Sequence, residues 1–229
     1  MNKEKLIVAI DGPAGAGKSS AAKLLSARIG ADYIDTGAMY RAVALKLIRT
    51  GTDYRDAEAL DAMLESTLID FEAGRTILDG EDVSGLIRTP EISALASPSS
   101  AVPAIRYKLT ALQQAMGEEK SVVMDGRDIG TVVFPNADVK FFLTASADER
   151  ARRRMLELQG KGESADFDEV KAEIEKRDRQ DSQREFRPLK KADDAIEIDS
   201  TRMNIEQVVS LMSDIIDAKR MDLHGHKGD

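Results

Sequence analysis

A glycine-rich octapeptide near the amino terminus constrains the fold of this chain more than any other feature. Residues Gly12–Ser19 read Gly-Pro-Ala-Gly-Ala-Gly-Lys-Ser and match the pattern G-x-x-x-x-G-K-[ST]. The apolar run Leu6–Ile10 before it predicts a buried strand, and a helix is expected over Lys18–Ile29. A strand-to-helix turn of this kind aims backbone N–H groups and the positive end of the helix dipole at an anion. The motif therefore predicts an α/β fold that binds a nucleoside triphosphate, with Lys18 reaching the β- and γ-phosphates and Ser19 placing its hydroxyl on Mg²⁺.

The bulk composition narrows the function classes. With 229 residues, 42% of them hydrophobic, the chain is long enough for one substantial core. The formal net charge of −8 disfavours sequence-independent binding of nucleic acid, which needs a basic surface. The sequence contains no cysteine, which excludes disulfides and thiolate metal sites. Leu6–Ile10 is too short to cross a bilayer, and the amino terminus lacks the apolar region of a signal peptide, so we expect a cytoplasmic protein without membrane or nucleic-acid partners.

Strand and helix patterns alternate along most of the chain, which indicates helices around a mostly parallel sheet. One region breaks the alternation: Leu68–Glu72 and Thr76–Leu78 flank an Ala-Gly-Arg turn and predict a hairpin, with a third strand near Asp82-Val83. We interpret Leu68–Arg88 as a small inserted lobe. Core strands are expected at 6–10, 32–34, 122–124, 139–144 and 196–198, and helices at 18–29, 57–65, 103–116, 147–159, 168–185 and from 204, with a frayed tail over 221–229.

A second anion site is indicated where the chain leaves its second strand. Asp35-Thr36-Gly37 precedes a helical pattern that carries Arg41 one turn in. A helix N-terminus together with a guanidinium group can hold a monophosphate. The alternative for Arg41 is an ordinary solvated arginine on a helix.

Charged residues also follow the strand at 122–124. Asp125 lies directly beyond it, and a carboxylate in this position beside a phosphate loop commonly serves Mg²⁺ or its waters; the alternative is a polar turn. The carboxyl half further supplies arginines, and phosphoryl transfer needs cations to neutralise the moving group. We expect about half of them to have this role and the others to lie on solvated helix faces, paired with Glu and Asp: Arg150, Arg152, Arg153, Arg154, Arg177, Arg179, Arg184 and Arg187.

The phosphate loop by itself does not identify the reaction. A GTPase switch would need a guanine-reading N-K-x-D motif, and none follows the loop. A motor or transporter ATPase usually needs a longer chain. A nucleoside or nucleotide kinase fits the length and requires the second phosphate site. A non-catalytic nucleotide-binding protein or switch remains the alternative from a different class.

Five segments identify a resemblance that covers nearly the whole chain in order. They are Asp11–Ser19, Asp35–Arg41, Gly80–Gly85, Asp125–Pro135 and the arginine-rich Arg177–Pro188. The chain resembles the nucleoside monophosphate kinases, and in particular the bacterial cytidylate kinase family. The phosphate loop is common to many families, whereas the Asp125–Pro135 block joined to the inserted lobe is much more specific.

The resemblance implies a P-loop NTPase-type three-layer αβα fold with a five-stranded parallel sheet, a small β-rich insert and a helical lid. It implies a single nucleoside monophosphate kinase domain over 1–229. Its core would be 1–66, 117–159 and 192–220, its monophosphate-binding region with the insert 36–116, and its lid about 160–187. The activity implied is transfer of the γ-phosphoryl group of ATP to CMP, and usually dCMP, with Mg²⁺, in pyrimidine nucleotide metabolism. We expect a monomer.

The resemblance also assigns residues by their positions in these motifs. ATP would be bound by Gly12, Pro13, Ala14, Gly15, Ala16, Gly17, Lys18, Ser19 and Ser20, and CMP by Thr36, Arg41, Ser97, Arg106, Arg127, Asp128, Arg177, Asp181 and Arg184. Within the second set, Ser97, Arg106 and Asp128 would read the base, Arg41, Arg127 and Arg184 would hold the phosphate, and Arg177 and Asp181 would meet the sugar. The catalytic residues would be Lys18, Asp125, Arg184 and Arg153, which faces ATP, and the metal ligands Ser19 and, through water, Asp125. Some relatives have Lys-Gly-Thr where this chain has Lys-Ser-Ser, so a hydroxyl ligand at position 19 varies within the family.

The side chain of Asp128 has chemistry that suits cytosine. A carboxylate accepts a hydrogen bond from the N4 amine, and Arg106 can donate to N3 or O2. Uracil would set a carbonyl oxygen against the carboxylate, and an unpaired buried group costs about 1–3 kcal/mol, or roughly tenfold to a hundredfold in affinity. This favours CMP over UMP; UMP, dTMP and shikimate are the alternative acceptors.

Two smaller features have two interpretations each. Gly160 and Gly162 are hinge candidates for a lid, or they simply end a helix. His224 and His226 are spaced like metal ligands, but a disordered tail is the simpler interpretation.

Overall fold

Eight strands and eight α-helices build the fold of this computed structural model, which describes residues 5–160 and 162–225. The strands are β1 (Ile7–Asp11), β2 (Asp32–Asp35), β3 (Ile69–Glu72), β4 (Arg75–Leu78), β5 (Glu81–Asp82), β6 (Val122–Gly126), β7 (Val139–Thr144) and β8 (Ile196–Asp199). The helices are α1 (Lys18–Ile29), α2 (Thr36–Thr50), α3 (Ala57–Glu65), α4 (Pro90–Ser99), α5 (Pro103–Glu119), α6 (Ala147–Gly160), α7 (Phe167–Gln183) and α8 (Ile205–Gly225).

The central sheet has five parallel strands in the order β2-β6-β1-β7-β8. β1 lies between β6 and β7, and Ile10 pairs in register with Asp125 on one side and with Phe141 on the other. The predicted three-layer α/β fold with a five-stranded parallel sheet is therefore confirmed. Because the strands are parallel, their carboxyl ends meet at one edge, where ligands bind in open α/β sheets.

The chain divides into two compact units, with the boundary inside β2. The first, here called the sheet unit, comprises the described residues up to Tyr33 and from Lys120 onward. The second, here called the helical unit, is Ile34–Glu119. The division into core, monophosphate-binding region and lid remains a prediction.

The sheet unit has an apolar core in which α1 and α8 pack beside the strands. Its fully buried residues include Ile10, Leu25, Phe141 and Met212. β1 is buried along almost its whole length, as its uninterrupted apolar run predicts for a strand covered on both faces.

The helical unit combines four helices with the antiparallel sheet β3-β4-β5. The predicted hairpin is confirmed, with Ile69 opposite Leu78 and Glu72 opposite Arg75. The third strand is Glu81–Asp82, one residue earlier than expected. Thr89 caps α4 by accepting a hydrogen bond from the Ile92 N–H.

The ends of α5 and α8 and the turn after β6 differ most from the prediction. α5 runs through Gly117 to Glu119 instead of ending at Met116, because tertiary packing that buries Gly117 outweighs its weak helix propensity. The turn after β6 forms one π-helical turn at Ile129–Val133. α8 continues to Gly225, so the tail expected from Met221 is helical up to that residue. His224 lies in this helix, and His226 is outside the described residues.

Within residues 5–160 and 162–225, none of the helices combines the length and apolar character needed to cross a membrane.

Candidate active site

The phosphate loop leaves the buried end of β1 and enters α1. Gly12 has φ 149°, and a Cβ there would collide with the carbonyl oxygen of Leu143, so only glycine fits. Gly17 caps α1 without a side-chain hydrogen bond, and no acidic residue stands in the first turn. The first N–H groups of α1 are therefore suited to binding an anion.

Lys18, the first residue of α1, is buried among charged side chains. Its pKa is lowered from 10.5 to about 7, chiefly by burial and then by the nearby charges of Arg127 and Arg177; the carboxylates of Asp125 and Asp181 oppose the shift. The charges that act on Lys18 therefore come from residues that are far apart in the sequence. They include four of the predicted site residues.

The end of β6 places Asp125 against the start of α1. Ser19 Oγ donates to Asp125 Oδ2 at 2.8 Å, and Tyr33 Oη donates to Asp125 Oδ1 at 2.9 Å. The two predicted metal ligands are thus in direct contact. They offer a hydroxyl and a carboxylate oxygen, which fits Mg²⁺, an ion that usually takes one or two protein oxygens and completes its shell with waters and phosphate oxygens. In the described part of the chain, no group of three or more His, Cys, Asp or Glu residues could hold a metal ion.

Tyr33 was not identified by sequence analysis. Its position on the strand before Asp35-Thr36-Gly37 was a weak signal, because nothing in the sequence shows that β2 and β6 are adjacent in the sheet. In the structure the phenol fixes one oxygen of Asp125 and leaves the other to Ser19.

A second charged cluster joins the turn after β6 to α7. Arg127 Nε lies 2.6 Å from Asp181 Oδ2, and both side chains are more than four-fifths buried. Burial alone would raise the pKa of Asp181, but Arg127, with Arg177 and Arg184 beside it, outweighs burial and holds that pKa below 3.8. The structure therefore brings Arg127, Arg177, Asp181 and Arg184 together.

Asp128 is buried at the start of the π-helical turn. The two residues after it are held by Asp11, whose carboxylate accepts hydrogen bonds from the N–H groups of Ile129 at 2.9 Å and Gly130 at 2.7 Å. Asp11 is the last residue of β1, so the turn that carries Asp128 is anchored to the strand that leads into the phosphate loop. In the sequence, the role of Asp11 is indicated by its position as a charged residue directly after an apolar strand.

In the helical unit, Arg41 lies at the start of α2. Its guanidinium is 3.2 Å from Asp35, which also caps α2 by accepting from the Ala38 N–H at 2.8 Å. Thr36 is the first residue of the helix and is buried. A side chain at Gly37 would press on the Arg41 guanidinium, with a Cβ only 3.1 Å from Nη1.

The two residues predicted to read the base from this unit lie on successive helices. Arg106, on α5, is buried, donates to the Ser100 carbonyl oxygen at 3.0 Å and lies over the Tyr40 ring at 5.5 Å. Ser97 is half-buried on α4. Thr36, Arg41, Ser97 and Arg106 belong to the helical unit. The other predicted CMP-binding residues belong to the sheet unit: Arg127, Asp128, Arg177, Asp181 and Arg184.

Comparison with known proteins identifies the family. The family model "Cytidylate kinase" matches residues 8–218. The chain belongs to the cytidylate kinase family. It is 52% identical over 227 residues to "Cytidylate kinase" of Citrifermentans bemidjiense, covering 97% of both chains, and 48% identical over 219 residues to that of Bacillus pumilus, covering 94% of this chain and 97% of the relative.

Solved structures agree on the fold. An uncharacterised protein from Eubacterium ventriosum matches with a TM-score of 0.53 at 17% identity, covering 94% of this chain and 99% of the other. A gluconokinase from Sinorhizobium meliloti matches with a TM-score of 0.50 at 14% identity, covering 97% of each. At these identities the likeness concerns the fold alone.

Arg153, on α6, is the arginine that the family resemblance predicts to face ATP. It lies against the loop after β8. It donates to Ser200 Oγ at 3.0 Å and to the Ser200 carbonyl at 2.6 Å. A Cβ at Gly17 would be 3.8 Å from Arg153 Nη1, so this guanidinium also borders the phosphate loop. Arg152 and Arg154 make surface ion pairs with Glu149 and Glu157, as the solvated-face alternative expects.

The pKa of Asp11 leads to a prediction for stability. Burial raises this pKa from 3.8 to about 6; the hydrogen bonds from Gly130 and Ile129 lower it in part, Asp128 raises it and Lys18 lowers it. Between pH 3.8 and about 6 only the folded protein keeps the proton. The stability that Asp11 contributes is therefore complete below pH 3.8 and is lost as the pH rises through about 6.

Comparison with Asp11→Asn isolates this effect, because the amide does not titrate. From pH 4 to pH 7 we expect the wild type to lose about 2 kcal/mol of unfolding free energy relative to the variant, because part of the effect already lies below pH 4. Urea denaturation of both proteins at the two pH values measures the difference. A difference that does not change with pH would contradict the prediction.

Proposed function

We propose that this chain transfers the γ-phosphoryl group of ATP to CMP, giving CDP and ADP, and acts on dCMP in the same way. The observation that carries this proposal is the match to the cytidylate kinase family over residues 8–218, with relatives of that name about 50% identical along nearly their whole length. The charged cluster around Lys18 and Asp125 is consistent with this chemistry.

On the donor side, the loop Gly12–Ser19 and the N–H groups at the start of α1 bind the triphosphate. Lys18 supplies a cation at the β- and γ-phosphates, and Arg153 borders the same loop from α6. Ser19 and Asp125 would hold Mg²⁺, Asp125 through water, since their oxygens lie together at the start of α1. The chemistry that Mg²⁺ supplies when bound is neutralisation of charge on the transferring phosphate.

On the acceptor side, Arg41, Arg127 and Arg184 bind the phosphate of CMP. Arg41 Nε is buried and makes no hydrogen bond within the residues that the structure describes, which supports an additional anionic partner for this guanidinium. Arg177 and Asp181 meet the sugar. The base is read by Ser97, Arg106 and Asp128. Thr36, at the start of α2, is the remaining CMP-binding residue.

Catalysis by these residues requires positioning and charge neutralisation. The phosphate oxygen of CMP is already ionised, so attack on the γ-phosphorus needs no strong general base. The attack is in line with the departing ADP oxygen, and Lys18 and Arg184 stabilise the charge that spreads over the transferring group.

The segment at about 160–187 serves as a lid in this proposal, with Gly160 and Gly162 as hinges. Gly162 has φ 79°, a conformation that other residues rarely adopt. Closure of the lid would exclude water and limit hydrolysis of ATP. The expectation of a cytoplasmic monomer without nucleic-acid or membrane partners stays a prediction.

An acceptor panel tests the proposal. With ATP and Mg²⁺, release of ADP is measured with CMP, dCMP, UMP, dTMP and shikimate, and without acceptor as the control for hydrolysis. We expect kcat/KM for CMP to exceed that for UMP by at least about tenfold, because uracil sets a carbonyl oxygen against the Asp128 carboxylate where cytosine offers an amine donor. Equal turnover of CMP and UMP, or a preference for shikimate, would overturn the substrate assignment.

A further inference from the structure

Both backbone polar groups of Ala14, in the middle of the phosphate loop, are bonded to side chains from other elements. Its N–H donates to Asp178 Oδ1, on α7, at 3.3 Å, and its carbonyl oxygen accepts from Arg150 Nη1, on α6, at 2.9 Å. Arg150 Nη1 also lies 2.6 Å from Asp178 Oδ2. Ala14, Arg150 and Asp178 therefore form a closed triangle of hydrogen bonds that connects the loop with two helices.

This triangle is shielded from water, mainly on the arginine side. The Arg150 side chain is 8% exposed and that of Asp178 is 24% exposed. Arg150 Nε donates to the Ala145 carbonyl oxygen at 2.9 Å, so the guanidinium is fixed from two directions. A charged hydrogen bond that is largely desolvated holds its geometry more firmly than one at the surface.

The next loop residue is fitted closely to the same two helices. A Cβ at Gly15 would lie 3.2 Å from Arg150 Cβ and 3.6 Å from Ile174 Cδ1, and Gly15 has φ 74°. Ile174 belongs to the small apolar cluster that joins α6 to α7, together with Ala151 and Val170. The path of the loop at these two residues is therefore set by the way α6 and α7 pack.

We propose that Arg150 and Asp178 are positioning residues for nucleotide binding, which hold Ala14 and Gly15 in the conformation that receives the β- and γ-phosphates. They act through the loop backbone and do not contact the reacting atoms. The proposal rests on the proposed function only in requiring that the loop binds a nucleotide. Neither residue belongs to the predicted ATP or CMP sets.

Asp178→Asn is the principal test, because it keeps the size of the side chain and removes the charge that pairs with Arg150. We expect the Kd for ADP, measured by calorimetry with Mg²⁺, and the KM for ATP to rise about tenfold. The KM for CMP at saturating ATP should change less than about threefold, since no acceptor residue is altered. A purely structural role would not separate the two KM values in this way.

Asp148→Asn is the matched control. Lys171 Nζ lies 2.7 Å from Asp148 Oδ1, so this pair also joins α7 to α6, but the Asp148 side chain is 69% exposed. We expect wild-type Kd and KM values from it. Arg150→Lys, alone and combined with Asp178→Asn, tests whether the two residues act as a pair: the double variant should bind ADP about as weakly as each single one.

Three results would overturn the proposal. They are unchanged ADP binding in Asp178→Asn, an equal loss in Asp148→Asn, and tighter ADP binding in Asp178→Asn, which would mean that the carboxylate competes with phosphate at the Ala14 N–H. A different outcome would separate the two proposals. If the wild type and the variants bind ADP as expected but the wild type does not phosphorylate CMP, the proposed function is refuted and the positioning role stands.

Discussion

We expect Lys18→Ala to lower kcat by about 10²- to 10³-fold while the protein stays folded. Lys18 Nζ is buried and donates to the Pro13 carbonyl oxygen at 2.8 Å, so the amine lies within the phosphate loop itself. In the transition state the transferring phosphoryl group is charged and needs a cation that is already in place. No other side chain of the loop Gly12–Ser19 carries a positive charge.

Stability should change little in this variant. Burial is the main reason that the pKa of Lys18 falls to about 7, which means that the folded protein disfavours the charged amine. Replacing Lys18 by alanine therefore removes the unfavourable burial of a charged amine. The measurement is steady-state kinetics with ATP and CMP, accompanied by urea unfolding.

Lys23→Ala is the control for Lys18→Ala. Lys23 lies on the same helix, α1, with an exposed side chain, and its replacement should leave kcat within about twofold of the wild-type value. Near-normal kcat in Lys18→Ala, or a loss that follows unfolding, would contradict the assigned role.

The second large effect concerns Asp128 and the choice of acceptor. We expect Asp128→Asn to lower kcat/KM for CMP by about a hundredfold, because the amide presents a donor or a neutral acceptor where the cytosine N4 amine needs a carboxylate. The same amide can donate a hydrogen bond to O4 of uracil. The variant should therefore lose less kcat/KM with UMP than with CMP, and the ratio of the two values should fall.

Donor binding provides the internal control for Asp128→Asn. The Kd for ADP should stay within about threefold of the wild-type value, since Asp128 is not among the loop residues that bind phosphate. Equal losses in ADP affinity and in CMP turnover would instead indicate that the π-helical turn at Ile129–Val133 had lost its structure. Urea unfolding of the variant would then give a lower midpoint.

Asp35 and Arg88 illustrate how much of the site could be predicted. The helix start with Arg41 was evident from the order of a strand, a glycine and an arginine, because these are local properties. That Asp35 both caps α2 and pairs with Arg41 was not evident, and neither was the approach of Arg88 to within 4.0 Å of the same carboxylate. The contact with Arg88 depends on how a distant element folds back on α2.

The arginines of α6 show the same limit on a helix. Periodicity places Arg150, Arg153 and Arg154 on one broad face, but it does not say what that face meets. In the structure Arg150 is buried against the phosphate loop, Arg153 reaches the loop after β8, and Arg154 stays at the surface with Glu157. Arg153 and Arg154 are about 100° apart around the helix, and Arg150 lies about one turn before them, roughly 5 Å along the axis, which is enough to separate these three environments.

The residues Ser146-Ala147-Asp148-Glu149 before and at the start of α6 predict a capping box, of which the structure shows only half. Ser146 accepts from the Glu149 N–H, as a capping box requires. The Ser146 N–H, however, donates to Thr201, and the Glu149 carboxylate binds Arg152 and Arg153 instead of reaching back. Two charged partners nearby outweigh one neutral backbone donor for this carboxylate.

The sequence alone determined the phosphate loop at Gly12–Ser19, the parallel α/β class and the inserted hairpin, because each depends on residue spacing within a short segment. The tertiary structure decided that Tyr33 and Ser19 share Asp125, that Asp11 anchors the turn carrying Asp128, and that Asp178 contacts the loop at Ala14. These contacts join residues 92 to 164 positions apart. Their partners are set by strand order and helix packing, which local spacing does not encode.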